Sequence, residues 1–288
     1  MSAANLYTIH CRSNLHAGAG DQSFGIIDKH VQRDPTTRLP TIFSSSLKGS
    51  LREKASAVFT AQAPGKEDPR IVEIFGSDNA KGAAKSLRQG AVYLSDAYLL
   101  GLPIRSTDQL FYVATCPELL ADFLATAAKA VAAENLTQLQ KFMDQLKGNF
   151  PEEGKPLANY PAQLSKVYLE DLAAARLELD AAALSPLLGP RVALLHVNDF
   201  ARLAEDLPTV ARNRLDNGIS ENLWYEEIVA RETRFYCTVG EAPGGLPNST
   251  ALQQLDTLIK ANSSRVQIGA NATIGYGQTV WTKLQQDD

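Results

Sequence analysis

The sequence is short of several things that would classify it at once. Its 288 residues include three cysteines, four histidines, two methionines and two tryptophans. Cys11, Cys116 and Cys237 stand far apart in apolar surroundings, with no CxxC pair and no Cys/His spacing suited to zinc. They read as buried, reduced thiols. No apolar run approaches the ~20 residues of a membrane span, and no basic start leads into an apolar leader. The sequence therefore predicts a soluble, cytoplasmic protein with no membrane partner. A global basic excess is missing too, since the net charge is -4 and the pI about 5.7. No Ser/His/Asp order, nucleophile elbow or internal repeat is present, and the carboxylates are too scattered to argue a glycosidase pair.

What is present is a large apolar fraction and an uneven charge. At 44% hydrophobic the chain can build a real core, as one large domain or two small ones. Residues 1–60 carry seven Lys/Arg against four Asp/Glu, and residues 116–190 carry six against ten. An acidic average can thus hide a local basic face, which is what polyanion binding needs.

Patterning predicts a strand over 5–12, a glycine-containing loop, and a helix over 44–59 with Leu47, Leu51 and Ala55 on one face and Ser45 or Ser46 as its cap. Short strands are expected at 71–76, 90–95 and 109–116. A helical block over 117–148 opens on Pro117, which suits a first helical position. The Ala/Leu-rich, acidic segment to about 187 reads as an inserted subdomain or packing surface. A strand at 192–197 and a short helix follow. Asp216-Asn217-Gly218 then marks a hairpin turn, because Asn and Gly tolerate positive φ. Arg212 and Arg214 share one face of its first strand. A helix over 249–261 and strands at 265–269 and 278–284 close the chain. The order of elements is that of an α+β fold.

Three segments offer chemistry. SFGIIDKHVQRDP, residues 23–35, sets Asp28 and Asp34 among Lys29, His30 and Arg33. This is either a solvated mixed-charge loop or a site where bases hold an anion and one acid acts on it. Lys48 in the first turn of the 44–59 helix opposes the helix dipole, and Arg52 lies four residues on. An anion at that end would resolve the conflict, and Gly49 would let it approach. The bland reading is a solvated face with one weak helix former. IGANATIGYG, with Gly269, Gly275 and Gly277, could present N–H groups, but it has neither Walker nor dinucleotide spacing; a glycine-rich hairpin is the simpler reading. His16 in LHAGAGD could touch phosphate or act as a base, though such a histidine is more often half-buried packing. Trp224 and Tyr225 could wedge against a base, but are more often ordinary hairpin packing.

Taken in order, LHAGAGD, IIDKHVQRD, SSSLKGSLRE, NRLDNGISENLWYEE and IGANATIGYG resemble the RAMP superfamily of CRISPR systems. Within it the similarity is to the repeated backbone subunit of type III-B effectors, the Cmr complex. It covers nearly the whole chain as one domain, 1–288, and is weakest over 117–187. The resemblance implies a ferredoxin-like RNA-recognition core with a helical, acidic insertion and a β-hairpin thumb at about 207–231. It implies copies stacked along a guide RNA beside other effector subunits. It also implies cleavage of complementary target RNA at regular intervals, dependent on Mg²⁺ or Mn²⁺, within the assembled complex.

Carried over by motif, the catalytic and metal-holding aspartate is Asp28, while Asp34 more plausibly orders the turn. RNA contacts fall on His16, Arg33, Ser45, Ser46, Lys48, Arg52, Arg212, Arg214, Trp224, Gly269, Asn271, Gly275 and Gly277. Two departures stand out: many relatives have Gly where this chain has Ser44, and Gly-Gly-Asn where it has Gly269-Ala270-Asn271. Neither removes a charge. The competing readings are a non-catalytic RNA-binding filament subunit, a type III-A equivalent, and a guide-processing endoribonuclease using His16 or His30.

Overall fold

A computed structural model describes residues 4–20, 25–59, 67–77, 88–243 and 250–284. Asp21, Ser23, Phe24, most of the loop expected between 71–76 and 90–95, and Ser249 lie outside the described residues.

The elements in chain order begin with β1 (Ala4–Cys11), α1 (Ser44–Val58), α2 (Pro69–Phe75), β2 (Val92–Leu94), β3 (Tyr98–Ile104) and β4 (Tyr112–Thr115). Then come α3 (Pro117–Ala127), α4 (Ala133–Leu146), β5 (Leu157–Ala158), β6 (Val167–Leu169), β7 (Leu172–Arg176), α5 (Ser185–Leu188), β8 (Val192–Leu194) and α6 (Val197–Glu205). The last are β9 (Thr209–Asp216), β10 (Ile219–Glu227), β11 (Arg234–Glu241), α7 (Ala251–Lys260), β12 (Arg265–Gln267) and β13 (Gln278–Leu284). The architecture is α+β. Among the described residues one large, mostly antiparallel sheet runs β12-β13-β1-β11-β3-β4-β8-β5-β7-β6, with β2 also on β11; β9 and β10 form a separate two-stranded ribbon.

Alternation along β1 serves two cores. Tyr7, Ile9 and Cys11 face Leu47, Leu51, Leu255 and Trp281. Leu6 faces Phe123, Phe142 and Tyr236 beneath α3 and α4. All three cysteines are buried and free, and burial pushes the Cys11 and Cys116 thiols up to about 12. Two phenols are tied to acids across the fold, Tyr7 to Asp256 at 2.7 Å and Tyr236 to Asp122 at 2.5 Å. No described helix is long and apolar enough to cross a membrane.

Several expectations need correction. Residues 69–75 are a helix rather than a strand: Pro69 starts it and the Asp68 side chain accepts from Arg70 N–H, so capping overrides the β-branched composition. Helix α1 is capped by neither Ser45 nor Ser46. Its N-cap is Phe43; Asp96 accepts from Ser44 N–H at 2.6 Å, and Gln32 accepts from Phe43 N–H at 2.7 Å. The 117–148 block is two helices, and the segment to 187 adds strands β5 to β7, so residues 117–187 are mixed rather than helical. Strands β3 and β11 carry no period-2 signal. β11 is buried on both faces, which erases alternation. β3 contains Gly101, where a Cβ would meet Val113 Cγ1 at 2.8 Å, and Pro103.

Candidate functional site

The 28–33 segment is the hub of the site. It lies along the outer edge of β10, with Asp28 N–H and Lys29 N–H both donating to the Tyr225 carbonyl at 3.1 Å and Glu227 N–H donating to the Lys29 carbonyl at 2.9 Å. Tyr225 N–H donates to Asp28 Oδ2 at 2.7 Å. The half-exposed Asp28 carboxylate is therefore fixed to the root of the hairpin. Gln32 ties the segment to α1, donating to Gly18 O at 3.1 Å and Ser46 Oγ at 2.9 Å. Asp34 orders the following turn, as expected, by accepting from Thr36 N–H, Thr37 N–H and Thr37 Oγ1. Those bonds hold its carboxyl below the usual range, led by the Thr37 N–H.

Two buried carboxylates organise the hairpin root, and the sequence reading singled out neither. Glu227 accepts from Val31 N–H at 3.0 Å and pairs with Arg33 and His30. Glu226 accepts from Trp224 Nε1–H at 2.8 Å, Asn271 Nδ2 at 2.9 Å and Arg212 Nε at 3.2 Å. Lys29 Nζ stands 3.7 Å from it. Burial raises the Glu226 pKa, but these donors outweigh it and hold the carboxyl below the ordinary range. The one available signal was the repeated acid after an aromatic pair, Trp224-Tyr225-Glu226-Glu227.

The expected contact residues separate into two groups. Arg33 is internal: it donates to Ala204 O at 2.7 Å, Glu205 O at 3.2 Å and Arg38 O at 3.0 Å besides pairing with Glu227. Arg52 donates to Gly76 O at 2.8 Å and to both oxygens of Glu67. His16 is buried, with Nδ1 donating to Glu227 O at 2.7 Å. Arg212 lies with its guanidinium 4.7 Å from the Tyr276 ring, and Trp224 is half-buried with Lys29 Nζ 5.3 Å from its ring. None of these five is presented freely to a ligand in this conformation. Arg214 is exposed and pairs with Glu221 at 3.1 Å. Ser45, Lys48 and Gly49 are exposed on the first turns of α1, with open space over Gly49.

The glycine loop is mainly a packing device. A Cβ on Gly269 would lie 2.3 Å from His16 O, and one on Gly277 2.0 Å from Ile268 O; both residues have positive φ. Gly277 N–H donates to Asn14 O and Gly275 N–H to Ala272 O, so these groups are already engaged. Asn271, at φ 66, reaches Glu226 rather than solvent.

No cluster of three or more His, Cys, Asp or Glu suited to a metal occurs among the described residues. Asp28 offers one carboxylate with Oδ2 already accepting a hydrogen bond. That fits a hydrated hard cation sharing its shell with phosphate oxygens, and does not fit a protein-caged ion.

The chain is thus α+β, with the Asp28 carboxylate at the root of a two-stranded ribbon. Residues 8–280 match the RAMP superfamily, and the chain belongs to that superfamily. It is 28% identical over 283 residues to the CRISPR system Cmr endoribonuclease Cmr4 of Pyrococcus furiosus, covering 94% of this chain and 92% of that one. A shorter match, 39% identical over 92 residues, is to the Cms endoribonuclease Csm3 of Enterococcus italicus, covering 30% of this chain and 41% of that one. In fold the chain resembles a subunit of the type III-B Cmr-beta complex in its apo state, with a TM-score of 0.75, 24% identity and 98% of both chains covered. It also resembles oligomeric Cmr4 from Pyrococcus furiosus, with a TM-score of 0.69 and 23% identity over 99% of this chain and 100% of that one.

Proposed function

We propose that this protein is a repeated backbone subunit of a type III-B CRISPR effector that binds guide RNA and cleaves complementary RNA beside its hairpin. The carrying observation is the Asp28 carboxylate, held at the hairpin root by Tyr225 N–H. The similarity to Cmr4 over 94% of the chain, against 30% for Csm3, favours the III-B over the III-A assembly. Both of those relatives are named endoribonucleases. The sheet order β13-β1-β11-β3, with α1 after β1 and α7 between β11 and β13, supports a ferredoxin-like core. On this reading the β9–β10 ribbon is the thumb.

Ser45, Lys48 and Gly49 at the start of α1 would hold the guide backbone. Asp28 would face the scissile linkage and help position the 2′-hydroxyl for attack on the adjacent phosphorus. A divalent cation, Mg²⁺ or Mn²⁺, would be held by Asp28 and would stabilise charge developing on the phosphoryl oxygens. Since one protein carboxylate is a poor ligand set, cleavage would need guide, target and neighbouring subunits in place, in the cytoplasm.

One observation favours the non-catalytic filament reading: Asp28 already has a structural hydrogen bond. A guide-processing role for His16 is disfavoured by its burial. The test is the assembled complex with guide and matched target, comparing wild type with Asp28→Ala, in Mg²⁺ or Mn²⁺ and in EDTA. We expect regularly spaced cuts to vanish while target binding stays. Cuts that persist in Asp28→Ala would assign the chemistry elsewhere.

A further inference from the structure

Of the four histidines, His30 alone is both held by a carboxylate and set two residues from Asp28. Lys29, between them, turns to Glu226, 3.7 Å away, in a parallel bridge to β10. Asp28 and His30 therefore leave the extended segment toward the other side, with Cα atoms about 7 Å apart. His30 Nδ1 lies 3.3 Å from Glu227 Oε2. A carboxylate only accepts, so Nδ1 carries the proton. Glu227 is itself fixed by Val31 N–H and Arg33, and Arg33 by three backbone carbonyls. A buried, anchored acid thus orients the imidazole and leaves Nε2 as a lone pair. Among the described residues no hydrogen bond engages Nε2, and 42% of the side chain is exposed. His16 is anchored in a similar way, with Nδ1 on the Glu227 carbonyl, but it is 4% exposed. Its Nε2 faces Gly18, where a Cβ would lie 3.1 Å away.

We infer that His30 is a second catalytic residue of RNA cleavage: its Nε2 accepts the hydrogen bond of the attacking 2′-hydroxyl and takes its proton. The inference rests on the RNA-cleaving reading above, in which Asp28 keeps its roles. As the 2′-oxygen bonds to phosphorus, the bond from phosphorus to the 5′-oxygen breaks. The 2′-hydroxyl proton passes to Nε2, and water protonates the departing 5′-oxygen. The imidazolium then returns its proton to the hydroxide left behind. The products are a 2′,3′-cyclic phosphate and a 5′-hydroxyl. Glu227 faces the charge that develops on the ring and stabilises it, as a carboxylate behind a histidine does in other proton-transfer sites. An acceptor at this point also reads the 2′-hydroxyl itself, the group that separates RNA from DNA.

The test uses the assembled complex with guide and matched target in single turnover. His30→Ala is expected to slow cleavage roughly hundred- to ten-thousand-fold while target binding stays. His30→Asn, whose amide can still donate to Glu227, should be as slow. Added imidazole should restore part of the His30→Ala rate, and across substituted imidazoles the restored rate should rise with base strength. A merely structural histidine gives no such rescue. Full rate in either variant, absence of rescue, or rescue that falls with base strength would overturn the inference. A second readout needs no cleavage: diethyl pyrocarbonate should modify His30 in the guide-bound complex, and matched target should protect it. A His30 left unprotected by target removes the inference even in a complex that does not cut. Loss of cutting in Asp28→Ala with full rate in His30→Ala keeps the cleavage reading and removes this one. If cutting persists in Asp28→Ala, the imidazole rescue still decides whether His30 takes the proton.

Discussion

The root and the tip of the hairpin are built from the same residue types and are held in opposite ways. At the root, Arg212 and Glu226 are drawn into a network that includes an indole and an amide. Two residues outward on the same strand, Arg214 pairs with Glu221 in the open, with 74% of its side chain exposed. The same contrast separates Arg33 and Arg52, whose guanidinium groups meet carbonyls and buried or half-buried acids, from Lys48, which stands free of ion pairs among the described residues. A basic residue in a motif is therefore not by itself a phosphate contact; what decides is whether the fold brings an internal acceptor to it.

The contrast can be broken in five places. Arg33→Ala should be the most damaging to stability, about 3–5 kcal/mol, because it leaves Glu227 buried without its cation. Chemical denaturation measures it, and a loss under ~1 kcal/mol would make the root no more organised than the tip. Glu226→Gln should cost about 1–3 kcal/mol at neutral pH through lost charge-assisted bonds. It also carries a pH signature. The folded Glu226 carboxyl titrates below its unfolded value of about 4.3, so its stabilisation is complete above that pH and fades as pH falls through the folded value. Melting curves against pH should show a steeper acid limb in wild type than in Glu226→Gln.

Lys48→Gln should weaken RNA retention and reduce the salt slope by about one while leaving the melting temperature unchanged. Arg52→Gln should do the reverse, and equal salt slopes in the two variants would erase the distinction between them. Arg214→Gln should fall within ~0.5 kcal/mol of wild type, as for other exposed pairs.

Much of the frame was legible in the chain. The Leu47-Leu51-Ala55 spacing locates α1, Pro117 opens α3, and Asn217-Gly218 turns the hairpin with both residues at positive φ. Strand β13 covers the expected 278–284. The polar interior was not legible, because its partners are distant: Arg33 meets a carboxylate 194 residues away and His16 a carbonyl 211 away. Local pattern sees the charge and not the acceptor. Of the two aromatic residues offered as wedges, Trp224 is half-buried and Tyr225 is exposed, a difference that pattern alone does not show. The order of motifs pointed to Asp28, and the fold adds the neighbour it is tied to.

The interlock of the glycine loop has a consequence for synthesis. Ala270 N–H donates to His16 O and Gly277 N–H to Asn14 O, while Asn271 braces Glu226. On the ribosome, His16 and Asp28 emerge early, the hairpin much later, and residues 269–277 later still. A growing chain that already displays Asp28 and both strands of the ribbon still lacks the clamp that fixes the hairpin root. The order of translation thus leaves the hairpin root without its clamp until residues 269–277 have been made.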